Sequence, residues 1–224
     1  MKCSRRRHRV SIEPLLVVLA LALGHSVGAQ PADAKARESA TLDAFLNGVK
    51  KLTADFKQEI FSADDKLLET HTGTLSLARP DRFRWTETAP NELVVVADGK
   101  KIWTYDVELA QVTVDPFDDT VRSSPAMLLS GDPGARAGFA VVDTFSRDGL
   151  DWVKLVPKDG ASDFASVLIG FDGKSPRRLE LVDGLNQLTR IALANVVVNP
   201  ELADGVFEFQ PPPGVSVLGG KGKG

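Results

Sequence analysis

Reactive side chains are scarce in this sequence. Its 224 residues include one cysteine, Cys3, three histidines, His8, His25 and His71, one tyrosine and two methionines. A disulfide framework needs at least two cysteines, so the chain cannot form one internally. Beyond residue 29 there is no cysteine and a lone histidine, His71, which excludes a Cys–His nucleophilic site and a multi-histidine metal centre there. Neither a nucleophile elbow nor a phosphate-binding loop occurs. Asp64-Asp65 and Asp118-Asp119 come nearest to a calcium or acid–base pair. Adjacent turn carboxylates are ordinarily solvated, whereas calcium ligands are spread over a characteristic loop. His71 lies in a polar Thr-His-Thr segment and reads as a surface strand position. The expectation is a protein that is not an enzyme and needs no metal or cofactor.

A long hydrophobic run is also missing. Leu15 to Leu23 is the longest apolar core near the start, well short of the roughly 20 residues that span a bilayer. Arg5, Arg6, Arg7 and Arg9 precede it, and Val27-Gly28-Ala29 follows with small residues. This arrangement predicts a cleavable secretory signal over residues 1–29, cut between Ala29 and Gln30. Ser4-Arg5-Arg6 also allows the twin-arginine route. Cys3 would leave with the signal, so no cysteine is placed to carry a lipid anchor, and the expected product is soluble. Residues 30–224 then form a single expected domain with 22 basic and 29 acidic residues, a net charge of −7. No basic stripe survives, and nucleic acid is not expected as a partner.

What is present is alternation. Residues 36–51 carry apolar side chains at three- and four-residue steps, which predicts one amphipathic helix. The period then changes to two. Strands are expected at 52–60, 67–78, 82–87, 93–97, 102–105, 111–114, 139–144, 151–157, 164–171, 177–181, 188–198 and 207–209. Asp98-Gly99, Asp172-Gly173 and Asp183-Gly184 mark hairpin turns. Between Pro116 and Gly131 the strand pattern breaks, and Ser124 with Pro125 predicts the start of a short helix that Gly131 stops. A long antiparallel meander curls and closes at least partly to remove its edges. The helices would then lie on its concave face or in its open mouth.

In Gly73 to Thr86, Leu75, Leu77, Arg79, Phe83 and Trp85 share one parity. A guanidinium among Leu, Phe and Trp must find acceptors, because burying an unpaired charge is costly. Arg79 either snorkels to the rim of a strand end or satisfies free carbonyls at a helix C-terminus or covering loop. With catalytic side chains absent, a cavity for something apolar is the remaining function. Leu75, Leu77, Phe83, Trp85, Val94, Val96, Trp103, Met127 and Leu128 are its candidate lining.

Several segments resemble the LolA family of periplasmic lipoprotein carriers. Arg79-Pro80-Asp81-Arg82-Phe83-Arg84-Trp85 and Asp98-Gly99-Lys100-Lys101-Ile102-Trp103-Thr104-Tyr105 match its R-P-x-x-F-x-W and D-G-K-x-x-W-x-Y signatures. Leu52 to Gln58 is similar to its first strand, Ser124 to Leu129 to its short helix, and Phe207 to Val215 to its C-terminal strand and loop. The resemblance implies a mainly β, α+β fold: an incomplete, unclosed antiparallel β-barrel covered by short α-helices. It implies a monomeric periplasmic chaperone that receives acylated outer-membrane lipoproteins from the ATP-dependent inner-membrane complex LolCDE. Their acyl chains would be shielded in the cavity and the cargo passed to the outer-membrane receptor LolB. It further implies that Arg79 latches the lid through lid backbone groups, and that Phe83 acts at the cavity mouth. The sequence departs from the family at Ala126, where a bulkier residue is common, and in its Gly/Lys tail. A periplasmic lipoprotein sensor or adaptor on the same half-barrel is the alternative reading.

Overall fold

The computed structural model describes residues 31–117, 129, 138–158 and 163–219, with side chains in the first helix from residue 40 onward. Helix α1 (Pro31–Gly48) leads into β1 (Lys51–Phe61), β2 (Leu67–Ala78), β3 (Arg82–Ala89), β4 (Leu93–Asp98), β5 (Lys101–Asp106) and β6 (Gln111–Pro116). The second run is β7 (Phe139–Arg147), β8 (Leu150–Pro157), β9 (Phe164–Asp172), β10 (Ser175–Asp183), β11 (Leu188–Val198) and β12 (Ser216–Gly219).

All twelve described strands belong to one sheet, in the order β12-β6-β5-β4-β3-β2-β1-β11-β10-β9-β8-β7. Every hairpin pair is antiparallel, and β11 returns to lie antiparallel to β1, joining the two meanders. β12 alone is parallel to its neighbour, β6. The order ends at β12 and β7, so the sheet is unclosed. Seen flat it would be about 50 Å wide, at roughly 4.8 Å per strand. Yet one buried cluster joins Ile102 of β5, Leu75 and Leu77 of β2, Leu179 of β10, Phe139 of β7, the helix residues Leu42 and Phe45, and Val49 just past the helix end. The sheet therefore curls around α1, and the core fills its inner face.

The helix follows from spacing. Leu42, Phe45 and Val49 are fully buried and Leu46 packs beside them, a stripe at i, i+3, i+4 and i+7. The Phe45 ring meets Phe171 of β9, centroids 5.5 Å apart. Each such side chain removed from water contributes roughly 1.5–3 kcal/mol, so the stripe is what seats α1.

One expectation about the C-terminal region needs correction. Residues 207–209 form turn and irregular backbone rather than a strand. Phe207 and Phe209 act as aromatic anchors instead: Phe209 lies 5.7 Å from Trp103 and 5.8 Å from Tyr105, and Phe207 is under the Arg82 guanidinium. The last strand is β12, whose four exposed residues pair with β6 through the backbone. The helix expected from Ser124 lies outside the described residues apart from Leu129, which is helical and buried. Residues 1–30, with the expected signal, lie outside them too. Among the described residues no helix is long and apolar enough to cross a membrane.

Candidate functional site

The inner face is built by register. Leu75 pairs with Trp85, Leu77 with Phe83, Leu52 with Leu77 and Ala54 with Leu75. All six are buried and share one side of the sheet. Phe56, next on the same parity of β1, stacks on Trp85 with centroids 3.6 Å apart and planes 21° from parallel. That stack needs Gly73 between the strands, where an added Cβ would meet Thr86 O at 1.9 Å and Phe56 Cζ at 2.8 Å. Leu75, Leu77, Phe83 and Trp85 are thus brought together in the buried cluster that also holds Leu42 and Phe45 of α1, as the alternation of β2 and β3 implies.

Val94, Val96 and Trp103 are not with them. Val95 pairs with Trp85 and Ala97 with Phe83, so the inner residues of β4 are Val95 and Ala97. Val96 pairs with Trp103 and Val94 with Tyr105 on the opposite, outer face. There Phe209 covers Trp103 and Tyr105, and Val96 and Val112 are fully buried. On β4 and β5 the inner face therefore carries Val95, Ala97 and Ile102, and the expected Val94, Val96 and Trp103 lie on the other side. Met127 and Leu128 lie outside the described residues.

Arg79 stands in the turn between β2 and β3, at the edge of the inner face. Its Nη1 donates to Phe45 O at 3.1 Å and to Val49 O, and its Nη2 donates to Leu129 O at 2.8 Å. Its guanidinium carbon is 4.5 Å from the Phe45 ring centroid. The backbone N–H of Arg79 also donates to Lys50 O at 2.8 Å. The last turn of α1 has no basic residue of its own. Arg79 from another element instead meets the negative end of its dipole, sharing Phe45 O with the Val49 N–H at 3.0 Å and reaching Val49 O just past the helix end. Burial pulls the Arg79 pKa down to about 10, which leaves it charged at neutral pH. Of the two readings open for this residue, carbonyl satisfaction is the geometry found.

The far end of the same face holds a polar chain that alternation did not reveal. Trp85 Nε1 donates to Glu87 Oε1 at 3.1 Å, His71 Nδ1 lies 2.9 Å from Glu87 Oε2, and His71 Nε2 lies 2.9 Å from Glu69 Oε2. Glu87 is buried. An imidazole can donate from both nitrogens only when protonated. Burial pushes the His71 pKa down, but the hydrogen bonds and charges of Glu69 and Glu87 outweigh it and raise the pKa above its ordinary value. His71 is therefore a half-buried bridge, correcting the expected surface position. Asp64 accepts from Ser62 Oγ at 2.5 Å in the β1–β2 turn; Asp118 and Asp119 lie outside the described residues. Among the described residues no group of three or more His, Cys, Asp or Glu could hold a metal ion.

Comparison with known proteins gives a consistent answer. The model of the family described as "Outer membrane lipoprotein carrier protein LolA" matches residues 47–210. The chain is 38% identical over 178 residues to an outer-membrane lipoprotein carrier protein of Dechloromonas aromatica, covering 80% of this chain and 86% of that protein. It is 39% identical over 177 residues to the carrier protein of Methylococcus capsulatus, covering 79% and 85%. Among solved structures, an uncharacterized conserved protein from Thermus thermophilus aligns over 81% of this chain and 98% of its own. The TM-score there is 0.53 at 13% identity, a likeness of fold alone. The family match and the relatives together place the chain in the LolA family of outer-membrane lipoprotein carrier proteins.

Proposed function

We propose that this protein is a soluble periplasmic chaperone that carries acylated lipoproteins to the outer membrane, holding their acyl chains against the inner face of the curled sheet. The observation that supports this most is the combination of an unclosed sheet, an apolar inner face and a covering helix tied down by hydrogen bonds from Arg79. A core secured at its edge by polar contacts can exchange its own helix for acyl chains without unfolding the sheet. Residues 1–29 serve as the cleaved signal that delivers the chain there.

The carrier needs no catalysis. Each buried CH₂ of an acyl chain is worth about 0.8 kcal/mol, so lifting a chain from a membrane is strongly uphill. The ATP-dependent complex LolCDE supplies that step, and the receptor LolB accepts the cargo. Arg79 acts as a latch: its bonds to Phe45, Val49 and Leu129 favour the empty, closed state, limit exposed apolar surface and help expel cargo. Leu75, Leu77, Phe83 and Trp85 line the cargo side, with Phe83 nearest the latch in sequence.

The test is release from spheroplasts that carry newly made lipoproteins. The protein should draw an acylated lipoprotein into a soluble one-to-one complex. Signalling without any soluble complex would favour a sensor instead.

A further inference from the structure

The joint between α1 and β1 is gripped by a residue from the other end of the chain. Asn199, directly after β11, has a left-handed backbone with φ +54°. Its Oδ1 accepts from Lys50 N–H at 2.7 Å and from Lys51 N–H at 3.1 Å, and its Nδ2 donates to Gly48 O at 3.2 Å. Its own N–H donates to Lys51 O at 2.8 Å. One side chain thus satisfies two donors and one acceptor where the chain leaves the helix and enters the sheet. These groups would otherwise be left over by both structures.

The same joint supplies acceptors to Arg79. Its side chain reaches Phe45 O and Val49 O, and its backbone reaches Lys50 O. Carbonyl acceptors and asparagine contacts alternate along the joint: Phe45 and Val49 to Arg79, Gly48 to Asn199, Lys50 to both. Hydrogen bonds weaken steeply with misalignment, so Arg79 can engage two carbonyls a turn apart only if the helix leaves the sheet at one fixed angle.

We infer that Asn199 is a positioning residue for the Arg79 contact. It sets the angle at which α1 departs from β1 and so presents the Phe45 and Val49 carbonyls to the guanidinium. The φ of Asn199 explains the residue type. Asparagine tolerates the left-handed region and places a side-chain amide close to its own backbone. This inference deepens the carrier reading and rests on it for its functional consequence, but the positioning itself is a property of the fold.

The test uses Asn199→Gly, which keeps the left-handed backbone and removes the three side-chain bonds, and Asn199→Asp, which keeps the acceptor but sets an oxygen against Gly48 O. Two readouts need no cargo. In Asn199→Gly the amides of Lys50 and Lys51 should exchange with solvent at least roughly fivefold faster, as expected for the loss of about one net hydrogen bond. The Arg79 guanidinium NMR signals, held by carbonyls in the parent, should collapse to those of a freely rotating side chain. Unchanged Arg79 signals in a folded Asn199→Gly protein would overturn the inference whatever the cargo does. Asn199→Asp should fall between parent and glycine for both, which covers the case of a glycine variant that does not fold.

The third readout is cargo retention. Asn199→Gly should take up acylated lipoprotein but retain it roughly fivefold longer in the presence of receptor, and add nothing in an Arg79→Leu background. Additive effects would mean that Asn199 does not act through Arg79. A parent protein that takes up no lipoprotein would defeat the carrier reading, while the first two readouts would still decide the positioning.

Discussion

Replacing Arg79 by leucine removes hydrogen bonds to three carbonyls, those of Phe45, Val49 and Leu129, and the stack on the Phe45 ring. Bonds from charged donors contribute about 1.5–3 kcal/mol each, a gross loss of roughly 4–9 kcal/mol. Two effects oppose it. The variant no longer carries the desolvation cost that lowers the arginine pKa, and water can reach part of the freed helix terminus. The net weakening of the closed state is therefore about 2–3 kcal/mol, a factor of roughly 30–150 in the closed-to-open ratio. Two steps should respond differently when measured separately. Uptake of acylated lipoprotein from spheroplasts should survive, because the open state is easier to reach. Transfer to receptor should fall at least tenfold, because closure no longer helps to expel the cargo. Arg79→Lys sharpens the test. A lysine keeps the charge but lacks the planar fork that serves α1 and Leu129 together, so its transfer should lie nearer leucine than arginine. Full transfer by Arg79→Leu would refute the latch; full transfer by Arg79→Lys alone would show that charge suffices and that the fork is irrelevant.

Other consequences can be checked on purified protein. Gly73→Ala drives a Cβ into Thr86 O and Phe56 Cζ, so urea unfolding should show a loss of about 3 kcal/mol or more. Gly48→Ala, with open space around it, should shift by less than about 1 kcal/mol. For His71 the folded pKa is raised. The stabilisation from its bridge is present below about pH 6.5 and is lost as pH rises through the folded pKa. The parent should therefore lose stability on passing from about pH 5.5 to 8.5 relative to His71→Gln, in which that dependence is absent. Phe209→Ala should cost about 1–2 kcal/mol by uncovering Trp103 and Tyr105, yet leave lipoprotein uptake intact, since those rings face outward.

Much of the sheet was legible because alternation and turn residues agree. β2 at 67–78 and β11 at 188–198 begin and end where the pattern does. The inner set of β2 and β3 was legible for the same reason: one parity is apolar and the other polar. β4 and β5 were not, because Val94, Val95 and Val96 are apolar on both parities. Such a run records that both faces are covered, by the core on one side and by the C-terminal segment on the other. It does not say which is which. The available signal was the Asp98-Gly99 turn: once it pairs Ala97 with Ile102, the faces of Val95 and Trp103 follow. Phe207 and Phe209 looked like a strand because aromatic alternation also suits a segment that drops two rings onto a sheet. Arg79 stood out as a charge on an apolar parity, but its acceptors lie 30 to 50 residues away. Asn199 carried no signal at all, since an asparagine before a proline is ordinary loop composition.

The central claim is that acyl chains lie against the inner face. A lipoprotein whose acyl chain carries a photoreactive group, loaded onto the protein and irradiated, tests it directly. Adducts should form at Leu75, Leu77, Phe83 or Trp85 and none at Val96, Trp103 or Tyr105; adducts confined to the outer set would contradict binding at the inner face.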